Sequence, residues 1–200
     1  LMPDAGKIEW ANKITIGYLD QHSTLTRGKT VKEVLSEAFN YLHDLNARML
    51  DLYEQMGDTE PTQMDKLLAE VGDIQDTLEH ADYYALDAKI EEFANGLGLA
   101  SVGLQRDVAD LSDGQRSKVM LTKLLLQNPN ILVLDEPTNY LDEEHIAWLT
   151  KFLQNYENAF ILVSHDITFL NSVVNVIYHI ENCELTRYSG DYNKFQELYS

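Results

Sequence analysis

Cysteine is nearly absent: Cys183 stands alone among 200 residues. No internal disulfide can form, and one free thiol fits a reducing compartment. No acid–base or metal-ligand pattern surrounds Cys183, so it reads as a small buried apolar residue. Long apolar runs are missing too. The longest candidates, Ile131–Leu134 and Phe160–Val163, are strand-sized, far short of the ~18 residues a membrane helix needs. Basic residues are scarce: 15 Lys and Arg against 33 Asp and Glu leave a net charge of -18. Such a surface repels bare nucleic acid on average. An RNA-rich partner would have to meet a local basic spot, a protein target or segments outside this chain. His22, His43, His80, His145 and His179 show no metal-ligand spacing and read as structural.

What is present is ordered by period. Lys7-Ile8-Glu9-Trp10 and Ile14-Thr15-Ile16-Gly17-Tyr18 alternate like short strands, and Gln21 follows. Residues 31–56 switch to a helical period, with Ala38, Leu42, Leu45, Met49, Leu52 and Met56 forming a seam of the coiled-coil type. One helix over this stretch would be about 35 Å long. Gly57-Asp58-Thr59-Glu60-Pro61 breaks it. A second seam follows at Met64, Leu67, Val71, Ile74, Leu78 and Ala81, with Leu68 widening the stripe and Thr62 placed to cap the helix. Two such helices fold back as an antiparallel pair. The hairpin is rich in acids, which suits a solvated outer face or an arm that touches a basic protein surface. Leu86, Ile90, Phe93 and Leu97 mark a further helix ended by Gly96 and Gly98. From residue 111 the pattern alternates helix and strand, which predicts an α/β fold with a mostly parallel sheet. Ile131–Asp135 and Phe160–Ser164 read as buried central strands, and Val176–Ile180 and Leu185–Tyr188 as two late strands around a turn at Asn182.

Chemistry-bearing residues cluster at the ends of these elements. The apolar run Ile131-Leu132-Val133-Leu134 ends in Asp135-Glu136. A carboxylate at a buried strand end suits a hydrated Mg²⁺ beside phosphates, and a second can orient an attacking water. Leu111-Ser112-Asp113-Gly114-Gln115 carries the spacing of a capping box between Ser112 and Gln115. The helix that starts there has an apolar face at Val119 and Leu121–Leu125, and its free N–H groups suit an anion. Further on, an apolar strand ends in Ser164-His165-Asp166, where a histidine can contact a terminal phosphate. Each piece alone is common in proteins of many kinds.

In their order, the pieces resemble the ATP-binding cassette (ABC) family. Gln21 is similar to its glutamine loop, Leu111–Gln115 to its signature, Leu134-Asp135-Glu136 to its Walker B end, Leu141-Asp142 to its D-loop and His165 to its switch histidine. Asp135-Glu136-Pro137-Thr138-Asn139-Tyr140-Leu141-Asp142 and the ending Tyr188-Ser189-Gly190-Asp191-Tyr192-Asn193-Lys194-Phe195 resemble the F subfamily, and the hairpin at 33–81 its inserted arm in the first of two cassettes. The resemblance implies a partial P-loop NTPase fold in three parts: core strands over 1–30, a helical subdomain with the arm over 31–110, and the remaining core over 111–200. It implies ATP and Mg²⁺ as cofactors. Asp135 and Gln21 would serve the metal, Glu136 the attacking water and His165 the terminal phosphate. Ser112, Asp113, Gly114 and Gln115 would complete the site of a second cassette, with Asp142 coupling the two. Ribosome binding near the exit site and a cytoplasmic location are further implications.

Two departures from the family stand out. No Gly-rich loop ending in Gly-Lys-Ser or Gly-Lys-Thr is present, so this chain by itself is expected not to hold ATP. The opening Leu1-Met2-Pro3-Asp4-Ala5-Gly6-Lys7 reads as a turn within a domain, hence as a piece of a longer protein that can self-associate. Asp113 replaces a signature glycine; its charge would repel a phosphate unless it turns outward as a first-turn acid. The alternatives are the cytoplasmic ATPase subunit of a transporter and a DNA-maintenance ATPase.

Overall fold

The computed structural model describes residues 5–7, 9, 11–19, 25, 27–58 and 60–199. The fold is α/β. Strands β1 (Ile16–Tyr18), β2 (Ile131–Asp135) and β3 (Ala159–Val163) form a parallel sheet in that order. Strands β4 (Val176–Glu181) and β5 (Glu184–Ser189) form an antiparallel pair. Their link uses Asn182 and Cys183 in left-handed conformation, with φ of 49° and 64°, the geometry that a two-residue hairpin turn requires. Cys183 is therefore exposed and not buried as its context suggested, because a turn tip has no interior. Of the first expected strand, Ile8 and Trp10 lie outside the described residues, and the second shortens to β1.

The start of β1 is pinned to β2. Thr15 N donates to Asn130 Oδ1 at 2.9 Å, and Asn130 N donates to Thr15 Oγ1 at 3.0 Å. The sheet's inner face carries Gly17, Leu132 and Leu134, all buried, with Phe160 and Leu162 partly so. Helices α1 (Val31–Ser36), α4 (Leu86–Gly96), α5 (Asp113–Gln127), α6 (Glu143–Gln154) and α7 (Ile167–Val173) share one continuous apolar cluster with it. The outer face is different: Ile16, Tyr18, Ile161 and Val163 are exposed. The apolar runs predicted strands buried on both faces. Among the described residues only one face is covered, since no helix packs on the other.

Helices α2 (Asn40–Met56) and α3 (Pro61–His80) form the antiparallel arm. They bury Met49, Leu52, Val71, Ile74 and Leu78 in a small cluster of their own, as the two seams predicted. Three details differ from expectation. A 3-10 turn at Glu37–Phe39 separates α1 from α2, so the long helix is broken. Leu68 is exposed and does not widen the stripe. Glu60 occupies the cap position before Pro61, because proline opens a helix with no N–H to satisfy; Thr62 already lies inside. The arm's base is tied by His43, whose Nε2 lies 2.9 Å from Ser36 Oγ and whose Nδ1 lies 3.1 Å from Tyr83 Oη. Glu37 bridges Lys29 at 2.5 Å and Lys123 on α5 at 2.6 Å. Burial pushes the Glu37 carboxyl up, but hydrogen bonds from Lys123 and Lys29 together outweigh it and hold it below its ordinary value.

The chain leaves the arm through α4, and the four expected core residues, Leu86, Ile90 and Phe93 on the helix and Leu97 at its cap, are all buried. Helix α6 then docks on the end of α4. Trp148 lies against Gly96, where a Cβ would come within 2.3 Å of its ring, and His145 Nδ1 lies 3.0 Å from Gly96 O. Helix α8 (Tyr192–Tyr199) closes the described chain, packing Phe195 on His179 and Tyr188 of the β4–β5 pair.

Candidate active site

The carboxyl ends of parallel strands form the crevice where open α/β sheets bind ligands. Two adjacent strands bring chemistry-bearing residues there. Asp135 is the last residue of β2, paired with Val163, and is exposed. Glu136 continues the pairing by one bond, its N–H donating to Val163 O at 2.8 Å. The chain then turns sharply. Glu136 has φ of 47°, a left-handed conformation that costs a non-glycine residue about 1–2 kcal/mol.

This turn swings the Glu136 carboxylate inward, toward the end of β3. Its Oε2 accepts from His165 N at 3.3 Å, and its Oε1 lies 3.4 Å from His165 Nε2. The carboxylate is only 20% exposed, whereas the His165 side chain is 98% exposed. Among the described residues, Oε1 is buried and makes no hydrogen bond. A buried, unsatisfied carboxylate oxygen costs on the order of 1–3 kcal/mol, so strain and desolvation meet at one residue. His165 is held between two local anchors: Asp166 N donates to Ser164 Oγ at 3.0 Å, and Asp166 Oδ1 caps α7 by accepting from Phe169 N at 2.9 Å.

The signature-like segment folds as its spacing predicted. Ser112 Oγ accepts from Gln115 N at 3.3 Å, and Gln115 Oε1 accepts from Ser112 N at 3.0 Å, a complete capping box at the start of α5. The Asp113 side chain is 97% exposed, with Arg116 Nη1 3.9 Å distant. It sits as a first-turn acid, where the helix dipole favours it.

One contact was invisible in the sequence. The ring of Tyr140 lies on Gly114, and a Cβ there would fall 2.8 Å from Tyr140 Cδ1. Tyr140 itself is left-handed, with φ of 65°. Thus the loop after β2 is built onto the start of α5, and a small cleft lined by Leu19, Ser117, Lys118, Glu136 and Tyr140 marks the junction. Adjacent Asp142 stands at the cap position of α6 without a side-chain cap bond. Gln21 lies outside the described residues, although Leu19, at the end of β1, lines the cleft with Glu136. A groove of about 440 Å³ lies elsewhere, between α4 and α6 over Phe93, Trp148 and Phe152, and touches none of these residues. Among the described residues no group of His, Cys, Asp and Glu forms a metal cluster by itself, and no helix is long and apolar enough to cross a membrane.

With this geometry in place, comparison with known proteins adds the family. The profile of the ABC transporter family matches residues 1–139. The chain belongs to the ABC transporter family. It is 59% identical over 199 residues to the ABC transporter ATP-binding protein YfmM of Bacillus subtilis (strain 168), covering 100% of this chain and 38% of that protein. It is 35% identical over 184 residues to the energy-dependent translational throttle protein EttA of Escherichia coli (strain K12), covering 92% of this chain and 33% of EttA. The chain thus spans about two fifths or less of the relatives it matches. Two solved structures share the ABC fold. One, an ATP-binding subunit of an ABC transporter, gives a TM-score of 0.60 at 16% identity, covering 92% of this chain and 62% of that one. The other, the archaeal ribosome recycling factor aABCE1 in complex with the ribosomal stalk protein aP1, gives 0.59 at 21% identity, covering 99% and 32%.

Proposed function

We propose that this chain is most of one ATP-hydrolysing cassette of an F-subfamily ABC protein, paired with a second cassette and acting on the ribosome from the cytoplasm. The observation that carries the reading is the Glu136 carboxylate, whose buried Oε1 makes no hydrogen bond among the described residues, beside exposed His165 at the strand ends. An acceptor left without a donor in such a crevice is suited to a water that nucleotide binding brings in. When bound, Mg²⁺ and ATP supply the electrophilic phosphorus and its charge neutralisation. This chain's residues supply the rest. Glu136 accepts a proton from, and orients, the attacking water. Asp135 holds the cation's water shell, and His165 donates to the terminal phosphate. Gln21 senses the metal. The Ser112 and Gly114 N-terminus of α5, with Gln115 closing its cap, faces the partner's nucleotide, and Asp142 couples the two sites.

The 35% identity to EttA supports the ribosomal part of this reading. The uncovered outer face of the sheet, with Ile16, Tyr18, Ile161 and Val163 exposed, supports a cassette completed by a segment outside these 200 residues, one that also brings the missing phosphate loop. The three-part division at residues 30 and 110 belongs to the same reading.

In the full-length protein, Glu136→Gln should keep ATP bound and hold the protein on ribosomes in a sucrose gradient; migration free of ribosomes refutes the reading. Alone, this chain should show no saturable MgATP binding below ~1 mM, because the backbone cradle and its lysine are absent. A second reading, a transporter's ATPase subunit, draws on YfmM's description as an ABC transporter ATP-binding protein. Co-sedimentation with membranes and not with ribosomes would favour it.

A further inference from the structure

The groove of about 440 Å³ between α4 and α6 takes no part in the site at the strand ends. It opens in the helix layer on the inner face of the sheet, apart from the uncovered outer face. Its floor is built of rings. Trp148 and Phe152 lie within 13° of parallel with centroids 5.6 Å apart, and Phe93 meets both edge-on at 5.3 and 5.5 Å. Tyr156 extends the row, 5.6 Å from Phe152, and is pinned because its Oη donates to Pro129 O at 2.6 Å. Trp148, Phe152 and Tyr156 keep part of their surface in solvent. A space of this size suits one small molecule, and a floor of rings favours a flat aromatic guest.

The charged groups around this floor are left unpaired. Lys89 reaches in from α4, with its Nζ 6.0 Å from the centre of the Phe93 ring. Lys151 stands on α6, three residues after Trp148 and four before Asn155, and so on their face of the helix. Glu92 and Glu157 line the groove as well. Among the described residues none of these four has an ion-pair or hydrogen-bonded side-chain partner. Lys89 and Glu92 even sit three apart on one helix, the spacing at which opposite charges pair. Two ammonium groups thus stay free in a chain with 33 acids to 15 bases.

We propose that this groove is a second ligand site, for a guanine nucleotide. The base lies on the ring floor, the phosphate is shared by Lys89 and Lys151, and the base edge meets Glu92 or Glu157. Carboxylates only accept hydrogen bonds. Guanine offers two adjacent donors on one edge, its ring N–H and its amino group, whereas adenine offers only an amino group there. The ligand is a free nucleotide and not an RNA strand, because a chain of net charge -18 repels a polyanion. This inference does not depend on the ribosomal reading.

The test uses the full-length protein under saturating MgATP, so that the cassette sites are filled. Equilibrium dialysis with labelled guanosine monophosphate should show saturable binding below ~1 mM, about tenfold tighter than adenosine monophosphate. An azido derivative of the same probe, irradiated in place, should mark α4 or the stretch from Trp148 to Glu157. Lys89→Glu and Lys151→Glu should each weaken binding at least about tenfold, with the ATPase rate and melting temperature unchanged. Glu92→Gln and Glu157→Gln together should erase the preference for guanine while the monophosphate still binds. No saturation, an adduct elsewhere, displacement by MgATP, indifference to the lysine changes, or a guanine preference that survives the paired glutamine change would overturn the proposal. So would a short guanosine-containing RNA that competes at far lower concentration than the monophosphate, since the ligand would then be RNA.

Discussion

Gly96→Ala is the most direct probe of how α6, and with it the loop carrying Asp142, is seated. A Cβ at Gly96 would lie 2.3 Å from Trp148 Cε2, 2.4 Å from Cδ2 and 2.5 Å from Nε1. Ordinary carbon contacts need about 3.5–4 Å, so the ring must retreat by more than ~1 Å. A retreat disturbs two ring contacts, since Trp148 stacks on Phe152 at 5.6 Å and meets Phe93 edge-on at 5.3 Å. Overpacking of this kind costs about 1–3 kcal/mol. Against it stands the helix preference for alanine over glycine, at most ~1 kcal/mol, and less at the last residue of α4. The net expectation is a loss of about 1–2 kcal/mol, or a fall of about 0.5–1 M in the urea midpoint for a slope near 2 kcal/mol/M. Far-UV circular dichroism of the chain in urea measures it. In a Trp148→Leu background the same substitution should become neutral or stabilising, a coupling of about 1–3 kcal/mol. If Gly96→Ala raises the midpoint while Trp148 is present, the close approach of α4 and α6 is wrong.

Ser112→Ala should cost about 1 kcal/mol by removing the acceptor for Gln115 N, and Gln115→Ala should add little to it because the box is reciprocal; additive losses would show two independent caps. Leu78→Ala, at a fully buried arm position, should cost about 2–5 kcal/mol, and hydrogen exchange should quicken across α2 and α3 before the sheet; uniform acceleration would make the arm part of the main core. Glu136→Gly should stabilise by about 1–2 kcal/mol, since it relieves both the left-handed backbone and the orphan oxygen; a lower melting temperature would refute the strain. Glu37 is held below its ordinary 4.5, so its contribution is present above that value and fades as pH falls through the folded one. The gap between wild type and Glu37→Gln should therefore be largest near neutral pH and narrow as the pH falls below the carboxyl's ordinary value; a gap independent of pH would remove the ion-pair account.

What was legible in the sequence was local. The Ser112–Gln115 box, strand β2 up to Asp135 and the turn at Asn182 all depend on residues within four positions of one another, and each was recovered. The arm's seams were recovered because burial repeats along them. The break at Glu37–Phe39 was not, since the apolar spacing of Ala38 and Leu42 runs through it without a missed step. Nor did any pattern show that Leu68 stays exposed, or that Glu136 is left-handed. The contacts of Tyr140 with Gly114, Trp148 with Gly96 and Lys123 with Glu37 join residues 26, 52 and 86 positions apart, and no local rule connects them. The outer sheet face shows a deeper limit: an apolar run reads alike whether one of its faces is covered or both.

The short 3-10 turn at Glu37–Phe39 is the joint between α1 and the arm. Its long limb, α2, is about 25 Å from base to tip. A tilt of ~10° about that turn would carry Gly57 through roughly 4 Å. Glu37 lies in that joint and pairs with Lys123 of α5, so such a tilt would be felt, geared down, at the helix that Ser112 begins.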